Sequence, residues 1–127
     1  MVTVVSVPWQ PSSAALVRRQ LREALDEAGL PTELIDDATL VADELVGNAL
    51  RHATALADED LAVSWQVGAA SVQIRVTDGG GPQRPRVRSP GPDETSGRGL
   101  AIVSALSAEW GVEDRDGTTS VWATLRS

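Results

Sequence analysis

Residues 43–52, DELVGNALRH, set polar and ionisable side chains beside an apolar helical seam. Glu44, Asn48 and His52 recur every fourth residue, and at 3.6 residues per turn such positions drift by only about 40° per step. They therefore form one stripe along a helix edge, with Arg51 beside it. Such a stripe can face solvent, or it can line a pocket. Two glycine motifs follow, TDGGGP at 77–82 and SGRGL at 96–100. Successive glycines at a helix start leave backbone N–H groups open to close approach, which suits a phosphate. Each signal alone has a plainer explanation: a solvated helix edge, a turn, the end of a loop. Their order in one chain is what gives them weight.

The elements that would position these residues follow from hydrophobic periodicity. VTVVSV at 2–7 predicts a strand, closed by Pro8 and Pro11. A helix with Ser12 or Ser13 as cap runs to about Ala28, with Leu16, Leu21 and Leu25 as apolar positions, and GLP at 29–31 stops it. A longer helix, capped by Thr32, spans about Glu33 to Ala55; Leu34, Ala38, Val41, Leu45 and Ala49 keep helical spacing. The period then changes to two at Leu61, Val63, Trp65 and Val67 and again at Val72, Ile74 and Val76, with VGAAS as the turn between. The segment from Asp78 to about Ser96 holds four prolines and three arginines and predicts a long loop. A third helix is expected from near Arg98 through RGLAIVSALSAEW, and TTSVWATL at 118–125 predicts a final strand. Adjacent antiparallel strands with helices around them imply an α/β two-layer sandwich, with one sheet face left open.

A helix with ELVxNAxxH, a strand ending in DGGG, a loop, GxGL opening a helix and a last strand bearing Thr together resemble the GHKL ATPases. Within that superfamily the chain looks most like the bacterial anti-sigma factor and serine-protein kinase branch, over nearly its whole length. The resemblance implies a Bergerat-type fold, a mixed and mainly antiparallel sheet with helices on one face, as a single histidine-kinase-like ATPase domain over 1–127. It also implies ATP and Mg²⁺ as cofactors. The family's metal-holding Asn falls on Asn48, and the Glu that activates a hydroxyl falls on Glu44, the catalytic candidate. Asp78 falls on the carboxylate that accepts the adenine amino group, and Gly80 on the glycine where a side chain would crowd the base. Gly97 and Gly99, with Leu100 after them, fall on the second glycine box, which meets the phosphates. Thr119 falls on the threonine near the adenine, Ser120 being one position away. Arg51 and His52 stand at the phosphate side.

The chain departs from the pattern at Pro82, where many relatives carry another glycine, which shortens the first glycine box and stiffens the hinge of the loop after it. His52, the only histidine, lacks the setting of a phosphoacceptor. The function implied is a serine/threonine kinase of anti-sigma type, which phosphorylates an anti-anti-sigma-like partner and controls transcription by binding protein. The alternative is a non-catalytic ATP-binding module that sequesters a sigma factor or another regulator.

Composition supports protein rather than nucleic acid as partner. Eighteen acidic residues against eleven basic give a net charge of −7, which opposes a phosphate backbone. Absence of cysteine excludes disulfides and thiolate chemistry. No apolar run approaches the ~20 residues that cross a bilayer, and no charged-then-apolar leader opens the chain, so a cytoplasmic protein without membrane contact is expected. A homodimer is left open.

Overall fold

The computed structural model describes residues 2–80 and 95–127. The elements are β1 (Val2–Pro8), α1 (Ser13–Glu27), α2 (Thr32–His52), β2 (Asp60–Val67), β3 (Ser71–Asp78), α3 (Thr95–Leu106), β4 (Glu109–Arg115) and β5 (Thr118–Arg126). One five-stranded sheet has the order β1-β2-β3-β5-β4. The two-layer sandwich expected from the sequence is present, with all four pairings antiparallel. No parallel pair occurs among the described residues, although a mixed sheet was the expectation.

Alternation sets the faces of the sheet. Leu61, Val63 and Trp65 of β2, Val72, Ile74 and Val76 of β3, and Val121, Ala123 and Leu125 of β5 are buried on the helix side. Their neighbours form the other face, where Thr77 bonds Ser120 at 2.7 Å, Gln73 bonds Thr124 at 3.0 Å, and Arg75 pairs with Glu113 at 2.9 Å. A period-two strand with one apolar side can bury only that side.

In α1, Val17, Leu21 and Leu25 are buried at a spacing of four. It ends in a Schellman turn: the N–H of Leu30 bonds the Leu25 carbonyl and that of Gly29 the Asp26 carbonyl, with Gly29 at φ 76°. A wider stripe, from Leu34 and Ile35 to Val46 and Ala49, makes α2 the central helix, packed on α1, α3, β3 and β5. Arg18–Asp43 at 2.9 Å and Arg22–Asp36 at 2.7 Å join α1 to α2 at the surface. Exposed pairs of this kind contribute at most about 1 kcal/mol each, so buried apolar area holds the two helices together.

Helix boundaries differ from the sequence expectation at several points. Thr32 is the first residue of α2 and not its cap, because the Ile35 N–H closes the first turn onto the Pro31 carbonyl at 3.0 Å. The helix stops at His52 rather than Ala55, because Ala53 is extended and the Thr54 N–H bonds Gly80 instead of continuing the helix. The third helix ends at Leu106; Glu109–Arg115, whose first residues were expected to be helical, form an edge strand instead. The Ala108 N–H bonds the Thr124 carbonyl at 2.8 Å, and Trp110 lies opposite Ala123. Asp116 and Gly117, at φ 51° and 84°, make the tight turn into β5. Pro82 and most of the loop expected between Asp78 and Ser96 lie outside the described residues.

Among the described residues no helix is long and apolar enough to cross a membrane.

Candidate functional site

The end of α2 is tied to the end of β3 by backbone bonds. Both the N–H and the Oγ1 of Thr54 donate to the Gly80 carbonyl at 2.8 Å, and the Gly79 N–H returns a bond to the Thr54 carbonyl at 2.7 Å. This close approach dictates glycine. A Cβ at Gly79 would lie 2.1 Å from the Ala55 carbonyl oxygen, a backbone atom with nowhere to go. At Gly80, φ is 87° and a Cβ would lie 3.0 Å from the Gly117 carbonyl oxygen. The helix that carries Asn48 and the strand that carries Asp78 thus meet at a clasp built from Gly79 and Gly80.

Asp78 ends β3 on the buried face, 2% exposed. Its Oδ1 accepts the Gly80 N–H at 2.7 Å, and no other donor among the described residues bonds this carboxylate. Burial raises its pKa above the ordinary range, the Gly80 bond opposes that shift, and the nearby Asp114 charge adds to it. Thr119 is the register partner of Asp78 across β3 and β5 and is 9% exposed. Its Oγ1 donates to Asp114 Oδ1 at 2.9 Å. Ser120, the alternative to Thr119, lies on the opposite face, bonded to Thr77. Of the two, Thr119 is the one placed on the face of Asp78.

The α2 stripe is not uniform. Asn48 is 4% exposed, Glu44 one turn earlier is partly exposed, and Arg51 and His52 are exposed at the helix end. No hydrogen bond among the described residues engages the Asn48 side chain, although the residue is buried. Leu100 is fully buried with Val103 in the core and supports α3 from within. Gly97 and Gly99 lie inside the opening turns of α3, which begins at Thr95 rather than near Arg98. The first four N–H groups of such a helix lack partners within it, and Gly97 belongs to that set. Among the described residues no three His, Asp or Glu side chains converge to hold a metal ion.

Asp114 and Thr54 escaped the sequence analysis. Asp114 enters through strand register, and its sequence signal was the Asp-Gly turn at 116–117, which marks a hairpin. Thr54 had no signal beyond its place after the helix.

Residues 7–125 match the model of the histidine kinase-like ATPase domain, and the chain belongs to that family. It is similar to the crystal structure of the RsbU and RsbW domains of Rv1364c from Mycobacterium tuberculosis, with 26% identity, a TM-score of 0.75, and coverage of 99% of this chain. The match spans 32% of that longer chain. The histidine kinase AdeS of Acinetobacter baumannii shows 18% identity and a TM-score of 0.48, over 99% of this chain and 68% of its own. No curated protein matches the sequence. Membership of a histidine kinase-like ATPase family makes this an ATP-binding type of domain.

Proposed function

We propose that the chain is one ATPase domain that binds Mg·ATP and transfers its γ-phosphate to a serine or threonine of a protein partner, as a regulator of anti-sigma type. The observation that carries nucleotide binding is Asp78, a buried carboxylate with one bonded donor among the described residues, beside Gly80, the glycine at which the family resemblance has a side chain crowd the base. An acceptor-only group there suits the amino group of adenine. Asn48, buried and without a side-chain hydrogen bond among the described residues, fits a single protein ligand for Mg²⁺, which takes its other ligands from phosphate and water. Gly97, Gly99 and the start of α3 would meet the phosphates, Arg51 and His52 would stand at their outer side, and Thr119 would flank the base.

When bound, Mg·ATP supplies the phosphoryl group and the metal charge that offsets its oxygens. Glu44, one helical turn before Asn48 and open to solvent on one side, would take the proton from the arriving hydroxyl. The partner would be an anti-anti-sigma-like protein, and a sigma factor would be the regulator held. This reading draws on the family, on the similarity to a chain named for an RsbW domain, and on the net charge of −7, which favours protein over nucleic acid. Pro82, where relatives carry glycine, favours a second reading in which ATP is bound without transfer.

The test is incubation of the protein with labelled Mg·ATP and candidate partners from the same genome. Label on a bound partner supports the kinase. A bound partner without label leaves the ATP-binding antagonist.

A further inference from the structure

We propose that Asp114 is a positioning residue for recognition of the base: it takes the proton of Thr119, so that the Thr119 hydroxyl meets the site as an acceptor. The proposal rests on the adenine-nucleotide reading above and adds to it a residue that sets which base is accepted.

Asp78, Thr119 and Asp114 lie in one line across three strands, since Thr119 is the register partner of Asp78 on one side and of Asp114 on the other. All three occupy the helix-side face, and the Thr119 Oγ1 to Asp114 Oδ1 distance is 2.9 Å. A carboxylate accepts only, so in this pair the threonine must be the donor. A hydroxyl has one proton; with that proton held by Asp114, only lone pairs remain on the other side. The Thr119 hydroxyl also stands beside Gly80, where a Cβ would lie 3.7 Å from Thr119 Oγ1. The rim made by Asp78 and Thr119 therefore presents oxygens without protons.

Such a rim accepts an exocyclic amino group. It rejects a carbonyl oxygen at the same ring position, where lone pairs would face lone pairs and lose their hydrogen bonds to water. Asn in place of Asp114 removes the constraint: its NH₂ can donate to Thr119, whose proton is then free to turn toward the base.

The experiment compares Mg·ADP with Mg·inosine diphosphate, which carries a carbonyl oxygen in place of the amino group, by calorimetry. The proteins are wild type, Asp114→Asn, Thr119→Val, Thr119→Ser and the Asp114→Asn/Thr119→Val double variant. Wild type should prefer ADP, and Asp114→Asn should narrow that preference by about tenfold, the scale of one hydrogen bond to a charged group. In the Thr119→Val background Asp114→Asn should change the preference no further, and Thr119→Ser should keep it. An unchanged preference in Asp114→Asn, with wild type binding ADP, overturns the proposal and leaves the nucleotide site standing. An equal change with and without the Thr119 hydroxyl also overturns it, because Asp114 would then act by charge alone. Should Asp114→Asn fail to fold, Thr119→Val against Thr119→Ser decides: a preference as large in the valine variant as in the serine variant overturns the proposal. Wild type that binds neither nucleotide removes the adenine reading, and this proposal with it.

Discussion

A carboxylate that is 2% exposed, with one backbone N–H donor among the described residues, is costly to bury in its charged form. Because the folded-state pKa of Asp78 is raised, the folded protein disfavours the charged form relative to the unfolded chain. The cost is absent below the unfolded pKa and fully present above the folded one, so the stability contributed at this position is lost as pH rises through that window. Asp78→Asn keeps an oxygen for the Gly80 N–H and removes the charge. Its melting temperature without ligand should equal or exceed that of wild type at neutral pH, and thermal melts across the acidic range should show a weaker loss of stability with rising pH than wild type shows. The opposite charge logic applies at Glu44, where Glu44→Gln preserves shape without basicity. Phosphate transfer to a partner should fall on the order of a hundredfold while nucleotide affinity holds within a few fold. Equal transfer by both proteins would take the base role from Glu44. Residue type and motif order named Asp78, Gly80 and Thr119 as candidates, and the strand register sets Asp78 opposite Thr119. Asp114 was not named, because the Asp-Gly turn at 116–117 marks a hairpin without saying which residue of β4 lies opposite Thr119.

At the scale of elements, the clasp between α2 and β3 decides whether the site residues sit together. Gly79→Ala should cost about 1–3 kcal/mol, as overpacking against an immovable atom does, and lower the melting temperature by roughly 5 °C or more. Gly68→Ala is the control: its Cβ would meet the Ser71 hydroxyl at 2.5 Å, and that side chain can swing away. Thermal melts that rank the two variants equally would mean that the Ala55 contact yields easily. In the helix layer, Leu45 is 1% exposed between the site stripe and the core, and Leu45→Ala should cost about 2–5 kcal/mol by denaturant titration. A cost near zero would show that α2 does not depend on this contact. The helices α1 and α2 and the strands β2, β3 and β5 were legible because their apolar residues recur at one clean period. β4 was hidden: EWGVEDR offers only Trp110 and Val112 as an alternating pair, and the rest is charged or glycine.

On the scale of the whole molecule, a net charge of −7 is spread over a domain with one polar sheet face and one helix layer. The claim on which the other proposals depend is that this domain binds an adenine nucleotide through Asp78. Titration of Mg·ADP into wild type and Asp78→Asn, with melting curves recorded at the same ligand concentrations, tests it most directly. Wild type should bind with measurable heat, and its melting temperature should climb with ligand, reflecting about 2.7 kcal/mol of stabilisation at a hundred times Kd. Asp78→Asn should fold equally well and bind at least about tenfold more weakly, because its amide can turn a donor toward the amino group that the carboxylate accepts. No heat and an unmoved melting curve for wild type at millimolar nucleotide, or equal affinity in the two proteins, would contradict the account.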